Sequence, residues 1–143
     1  MTRPAALLLC GLLVACAPDA PVADREIRTD TAPLTERFPA IGEPLTVSWV
    51  TWDSATGGAP GPTTYWIDAV VTLAPQTTKA LEALKIAAQG KAPEVADELR
   101  PAVAGGPFLT GEELDGALST TGWMATGYLD PARNLLVISA IDD

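Results

Sequence analysis

The stretch LLVISAI, Leu135–Ile141, decides the fold of this chain. It is apolar apart from Ser139, and the turn-forming residues DPARN precede it at positions 130–134. A continuous apolar run of this length beside a turn is typical of a strand that is buried on both faces. The sequence therefore predicts a central β-strand here. The side chains expected in the core are Leu135, Val137, Ile138 and Ile141.

The turn before this strand predicts its first partner. Pro131 fixes φ, and Asn134 tolerates a positive φ, so DPARN is suited to reverse the chain. The residues before the turn, 123–129, include Trp123 and Tyr128 and read as a second strand. The C-terminal part of the chain is therefore predicted to be an antiparallel hairpin.

A second hairpin is predicted near the start of the domain. LTVSWVTWD, Leu45–Asp53, and TYWIDAVVTL, Thr64–Leu73, are rich in β-branched and aromatic residues that alternate with period two. The residues between them, Ser54–Thr63, are rich in Gly and Pro and must break regular structure. The two strands should pair across this long loop.

Helical patterns occupy the middle of the chain. The run from Pro75 to Gly90 has apolar residues at helical spacing, between the usual helix-starting Pro and helix-ending Gly. A further turn of helix over 93–101 would place Val95 and Leu99 inward. Thr110 and Glu113 have the spacing of a capping box, which predicts a short helix ending at Leu118.

These elements define the fold class. Their order is ββα(α)ββ, which predicts an α+β domain with an antiparallel sheet of about four strands and helices across one face. The predicted domain covers residues 45–143.

The tryptophans offer candidate binding residues. The chain has four Trp, and all lie on predicted strands. Period two places Trp49 with Leu45 and Val47, so Trp49 is expected in the core. Trp52 and Trp66 lie beside the loop and are the candidate binding surface, an aromatic platform for a peptide, a glycan or a partner protein. The alternative is that these Trp are core residues as well, because Trp is highly buried on average.

The residue types limit the chemistry. His is absent, which removes the commonest general base, and the two cysteines lie at positions 10 and 16. No serine has a base beside it in the sequence, and the adjacent acid pairs are typical of solvated surface. We therefore predict no catalytic residue, no metal site and no cofactor. With 18 acidic against 9 basic residues, nucleic acid is not expected as a partner.

The N-terminal segment predicts where the protein resides. Arg3 precedes a short apolar run that ends in LVAC, Leu13–Cys16. The run is too short to span a bilayer, which requires about 20 apolar residues, and it has the form of a secretory signal. LVAC resembles the lipobox of bacterial lipoproteins. The resemblance implies a diacylglycerol thioether on Cys16, cleavage before Cys16 and acylation, such as palmitate, on the new amino group. The alternative is a plain signal peptide that is cleaved after Ala17.

The region after Cys16 is expected to connect the lipid to the domain. Residues 16–44 are rich in Pro, Ala, Asp, Glu and Thr, which is typical of a tether. Phe38 and Ile41 are the residues of this region that could instead pack on the domain. With residues 1–15 as the signal, the organisation is signal, tether and one small domain.

Two classes of function remain open. One is a lipid-anchored binding or accessory module of the cell envelope, with the membrane and an unidentified envelope protein or glycan as its partners. The other is a small envelope hydrolase, or a lipoprotein inhibitor of one. The lack of a nucleophile with a base favours the first.

Overall fold

The chain forms an α+β domain around one antiparallel sheet. The computed structural model describes residues 25–54, 61–84, 86–89 and 92–142. Within them the sheet has six strands in the order β1-β2-β6-β5-β4-β3, and every pairing is antiparallel. The strands are β1 (Thr46–Asp53), β2 (Tyr65–Thr72), β3 (Ala87–Gln89), β4 (Phe108–Thr110), β5 (Trp123–Asp130) and β6 (Leu135–Asp142).

Strand β6 lies in the interior of the sheet, as its apolar sequence predicted. It pairs with β2 on one side and β5 on the other. Leu136, Val137 and Ile138 are completely buried, because both faces of the strand are covered, and Leu135 is buried as well. The expectation that Ile141 is a core residue is wrong, because Ile141 lies near the end of the strand and is only half-buried. The turn before β6 is a 3-10 turn that ends at Asn134, whose φ is 51°. The C-terminal hairpin prediction is therefore confirmed.

The N-terminal hairpin is also confirmed. Strands β1 and β2 pair along their whole length, with Trp52 opposite Trp66. At the loop end, the Ser54 N–H donates to the Thr64 carbonyl at 2.9 Å, and the Thr64 N–H donates to Ser54 Oγ at 3.0 Å.

The expected count of about four strands requires correction. The predicted helix over 75–90 ends at Glu82, and Ala87–Gln89 instead pairs with Phe108–Thr110 at the far edge of the sheet. A short isolated helix is only marginally stable, so a tertiary pairing partner can take its last residues. The predicted four strands are the four long ones, and β3 and β4 are additional.

The helices are short. They are α1 (Ala32–Arg37), α2 (Pro75–Glu82), α3 (Arg100–Val103) and α4 (Glu112–Leu118). The prediction of a capping box is wrong. Gly111 is the N-cap of α4, and no side chain caps the helix. Thr110, the predicted cap, belongs to β4 instead. Among the described residues no helix is both long and apolar enough to span a bilayer.

Both faces of the sheet are covered, which corrects the expectation of helices on one face. The larger core contains side chains from α1, α2, α4 and the 3-10 turn Pro39–Ile41, packed on one face. On the other face, Val95, Leu99 and Val103 pack against the sheet from the segment 92–107. The inward orientation of Val95 and Leu99 is therefore confirmed.

The domain begins earlier than the expected Leu45. Leu34, Phe38 and Ile41 are completely buried in the larger core. The prediction that Phe38 and Ile41 could pack on the domain is confirmed, and residues 25–44 of the predicted tether are part of the fold. The polar composition of this segment does not reveal that it packs on the domain, because only a few buried apolar side chains attach it.

Candidate functional site

The first described residues cross the open edge of β1. We call residues 25–30 the strap. The Arg28 N–H donates to the Trp49 carbonyl at 2.7 Å, and the Trp49 N–H donates to the Arg28 carbonyl at 2.9 Å. The guanidinium of Arg28 lies 4.2 Å from the Trp49 ring centroid, and that of Arg25 lies 4.4 Å from the Trp52 ring centroid. Trp49 and Trp52 belong to opposite cores, so the strap clasps β1 from both faces.

A concave site lies beside the strap on the face of the larger core. We call it the arginine cleft, and its volume is about 430 Å³. Cavities of this size are typical of small-molecule sites. The cleft is lined by Arg28, Arg37, Trp49, Thr51, Tyr65, Ile67, Trp123 and Asp142.

The strap forms one wall of the cleft. Arg28 donates from Nε and Nη2 to the two carboxylate oxygens of Asp30, at 3.1 and 2.8 Å. The hydrogen bond from Arg28 lowers the pKa of Asp30 below its ordinary value. Trp49 Nε1 donates to the Asp30 carbonyl at 3.0 Å, which fixes the ring beneath the arginine. This wall is therefore pre-organised, and its arginine already has a carboxylate partner.

The opposite wall is made by α1 and β5. Arg37 is the last residue of α1, and its Nη1 donates to the Pro33 carbonyl at 2.9 Å. Its guanidinium lies 5.8 Å from the Trp123 ring centroid. Trp123 is held from below by an edge-to-face contact with buried Phe38, at 6.3 Å between ring centroids. No described carboxylate lies within ion-pair distance of Arg37.

The strand order determines the width of the cleft. Trp49 on β1 and Trp123 on β5 are separated by β2 and β6. Three strand spacings of about 4.8 Å separate β1 from β5 laterally by roughly 14 Å, and Trp123 lies four residues along β5 from Gly127, the residue in line with Trp49. Ile67 on β2 lies between these strands, opposite Thr51 on β1, and both residues line the cleft.

Asp142 and Tyr65 lie at strand ends: Asp142 is the last residue of β6 and Tyr65 is the first residue of β2. Asp142 is directly opposite Trp123 in the β5–β6 pairing. Its carboxylate has no ion pair or side-chain hydrogen bond with any residue that the structure describes. Tyr65 is 43% exposed, so its ring is available at the rim.

The sequence-predicted residues lie elsewhere. Trp52 and Trp66 stack on each other on the opposite face, with ring centroids 6.1 Å apart and planes 8° apart. Both are partly buried, and Arg25 covers part of Trp52. A shallow groove of about 440 Å³ runs beside Trp66 along β5 and β6. Cys16 lies outside the described residues.

The same groove contains a serine next to an aspartate. Ser139 Oγ donates to Asp68 Oδ1 at 2.8 Å, and the Ala96 N–H donates to Asp68 Oδ2 at 2.7 Å. Burial raises the pKa of Asp68 above its ordinary value, against the opposing effect of these two hydrogen bonds. One carboxylate oxygen joins β2 to β6 through Ser139, and the other attaches the segment 92–107 to the sheet through Ala96. This arrangement supports a structural role for the pair.

The described residues contain no group of three or more His, Cys, Asp or Glu side chains that could hold a metal ion. What they do bring together is a cleft with two arginines, three aromatic rings and one carboxylate. Such a constellation can bind a polar molecule that has an apolar part, but it holds no activated nucleophile.

The geometry defines an α+β domain with a concave cleft on one face of its sheet. Comparison of the chain with models of protein families, with curated proteins and with solved structures found no match. The sequence did not predict the cleft because its residues come from six separate segments: the strap, α1, β1, β2, β5 and β6. The one local signal was the presence of three arginines, at positions 25, 28 and 37, in an otherwise acidic stretch, and two of them line the cleft.

Proposed function

We propose that this chain is a lipid-anchored, extracytoplasmic protein of a bacterial cell envelope whose domain binds a small polar ligand in the arginine cleft. The observation that carries the proposal is the convergence of Arg28 and Arg37 in one concave site. The chain has only 9 basic residues against 18 acidic ones, so two arginines in one cleft are a local departure from its overall charge.

The resemblance of LVAC to a lipobox supports the location. One acyl chain gives only marginal membrane binding, whereas two or three chains on Cys16 would anchor the protein stably. Arg25 follows Cys16 by nine positions. Nine extended residues span about 30 Å at most, so the strap would be held within that distance of the membrane surface.

Pre-organisation supports binding. Each arginine of the cleft lies over a tryptophan, and each tryptophan is held in place by a hydrogen bond or a ring contact. A guanidinium over an aromatic face is held by cation–π attraction while its edge keeps donors for a ligand. The side chains of the cleft are therefore already ordered before a ligand binds, which lowers the entropic cost of binding.

The location is tested by replacing Cys16. The wild-type chain should partition into the detergent phase of a Triton X-114 extraction. Cys16→Ser, which removes the thiol, should partition into the aqueous phase or remain as the uncleaved precursor. Cys10→Ser, at the other cysteine, is the matched control and should behave as wild type. Equal partitioning and equal processing of wild type and Cys16→Ser would contradict the anchor.

The binding function is tested by the indole N–H signals in NMR. The chain has four Trp, and the structure divides them between the two faces. Addition of the low-molecular-weight fraction of the producing cell's envelope should shift the signals of Trp49 and Trp123. Those of Trp52 and Trp66 serve as the internal control. Shifts confined to Trp52 and Trp66 would move the site to the other face, and no shift at all would contradict a small envelope ligand.

A further inference from the structure

We infer that the ligand of the arginine cleft is a zwitterion, an amino acid or the end of a short peptide, that places its carboxylate on Arg37 and its ammonium on Asp142. This inference rests on the proposed function of the cleft and names the class of its ligand. It follows from which charges in the cleft have partners and which do not.

Three charged side chains line the cleft. Arg28 is paired with Asp30 through two hydrogen bonds. Arg37 donates a hydrogen bond from Nη1 to a backbone carbonyl and has no carboxylate partner among the described residues. Asp142 has no described charge partner either. With respect to the part of the chain that the structure describes, the cleft therefore presents one unpaired cation and one unpaired anion.

Both unpaired charges lie beside the same aromatic ring. Arg37 lies 5.8 Å from the ring centroid of Trp123, and Asp142 is the strand neighbour of that residue. The two side chains do not form an ion pair with each other, since no nitrogen–oxygen distance between them is within 4.0 Å. Arg37 and Asp142 therefore present opposite charges, separated from each other, beside the Trp123 ring. A molecule that carries both a carboxylate and an ammonium group can bind both side chains at once.

Ligands of a single charge fit less well. An anion on Arg37 would be repelled by the Asp142 carboxylate, and a cation on Asp142 would be repelled by Arg37. Like charges brought together in a partly desolvated site oppose binding, and complementary charges select among ligands. A zwitterion satisfies both groups at once, and its bidentate carboxylate suits a guanidinium.

The rest of the cleft fits an apolar side chain. Tyr65 at the rim and Trp123 on one wall provide an aromatic surface, and the buried Ile67 lines the cleft beneath them. The lateral separation of roughly 14 Å between β1 and β5 leaves room for more than one residue of a peptide. An amino acid or peptide end with an aromatic or aliphatic side chain is therefore the class that matches both charge and surface.

The test uses four probes that differ in charge. They are L-phenylalanine and glycyl-phenylalanine, which are zwitterions, 3-phenylpropionate, which lacks the ammonium, and 2-phenylethylamine, which lacks the carboxylate. Each is titrated into the purified full chain in mild detergent, and the indole N–H signal of Trp123 is followed by NMR. At least one zwitterion should bind about tenfold or more tightly than both single-charge probes, because each charge-assisted contact strengthens binding by at least that factor.

Variants then assign the two charges. Arg37→Gln and Asp142→Asn should each weaken zwitterion binding about tenfold or more. Asp142→Asn should at the same time strengthen the binding of 3-phenylpropionate, because the carboxylate that repels this anion has been removed. Arg37→Gln should strengthen the binding of 2-phenylethylamine, because the guanidinium that repels this cation has been removed. Arg100→Gln and Asp97→Asn, an exposed pair outside the cleft, are the matched controls and should behave as wild type.

The outcomes separate this inference from the proposed function. If 3-phenylpropionate binds as tightly as the zwitterions and Asp142→Asn changes neither, the cleft binds anions and the zwitterion inference is wrong. If none of the four probes shifts Trp123, the inference is also wrong, while a shift of Trp123 by the envelope fraction would still support a binding cleft. If neither the probes nor the envelope fraction moves Trp123, both proposals fail.

Discussion

Asp68 connects the sheet to the segment that covers its second face. It is 4% exposed and accepts hydrogen bonds from Ser139 and from the backbone of Ala96. Burial disfavours the charged form of the carboxyl relative to water. This is the largest effect on its pKa, which is raised. A buried carboxyl of this kind makes stability depend on pH.

We expect the contribution of Asp68 to the free energy of unfolding to fall as pH rises. Its unfolded pKa is about 3.9, and its folded pKa is higher, so between the two values the folded state binds more protons. The free energy of unfolding of wild type minus that of Asp68→Asn should therefore fall as pH rises through this window, and stay level above it. Urea denaturation at a series of pH values measures this difference. Asp97→Asn, an exposed carboxyl in the same segment, is the control, and a difference for Asp68→Asn that rises with pH would contradict the assignment.

Thr78 is a second residue whose polar group is buried. It is 2% exposed, and its hydroxyl has no hydrogen-bond partner within the described part of the chain. Thr78→Val keeps the shape and removes the unsatisfied hydroxyl, so it should raise the free energy of unfolding by about 1 kcal/mol. Thr77→Val, at a more exposed neighbour on α2, should show no such gain in the same denaturation experiment. A loss of stability in Thr78→Val would show that the hydroxyl has a partner in solution.

At the scale of elements, α4 and β5 approach each other through a glycine. A Cβ built on Gly127 would lie 2.5 Å from Leu118 Cδ1 and 2.8 Å from Leu114 Cγ. Leu114 and Leu118 are completely buried, so they have little room to move. Asp115 Oδ1 also accepts a hydrogen bond from the Gly127 N–H at 2.8 Å, which fixes the helix over this position.

The same interface provides a matched pair of substitutions. Gly127→Ala should lower the free energy of unfolding by about 1–3 kcal/mol, because it overpacks the core. Gly116→Ala on α4 meets nothing within 4 Å and should raise it by up to about 1 kcal/mol, because alanine favours the helix. Thermal melts of the two variants should move in opposite directions from wild type. A Gly127→Ala melt at or above the wild-type temperature would contradict the close packing.

The elements also show how far the sequence predicts this fold. The four long strands have strong local patterns, and their observed bounds lie within one residue of the predicted ones. Strands β3 and β4 have three residues each and depend on a partner at the sheet edge, which no local pattern reveals. The strap and α1 were assigned to the tether because their composition is polar, although α1 and the turn after it bury three apolar side chains.

At the scale of the whole molecule, the site depends on distant parts of the chain meeting. Arg28 and Arg37 come from the N-terminal segment, Tyr65 from the first hairpin, and Trp123 and Asp142 from the last. No spacing in the sequence could predict this meeting. What the sequence did predict was an aromatic surface on Trp52 and Trp66, and these residues lie on the face opposite the cleft.

The strap connects the proposed anchor to the cleft. If Cys16 carries the lipid, the strap begins nine residues after the lipid, and it supplies one wall of the site. The cleft would therefore lie near the membrane surface, on a domain whose acidic charge disfavours contact with anionic lipid. This placement suits a ligand that is present at the envelope surface.

We propose that the arginine cleft holds a small ligand of the envelope. Native mass spectrometry of the chain mixed with the low-molecular-weight envelope fraction tests this proposal. Wild type and Arg100→Gln should retain the same ligand mass, whereas Arg37→Gln and Asp142→Asn should lose it. The same ligand mass on all four proteins, or none on wild type, would contradict the claim.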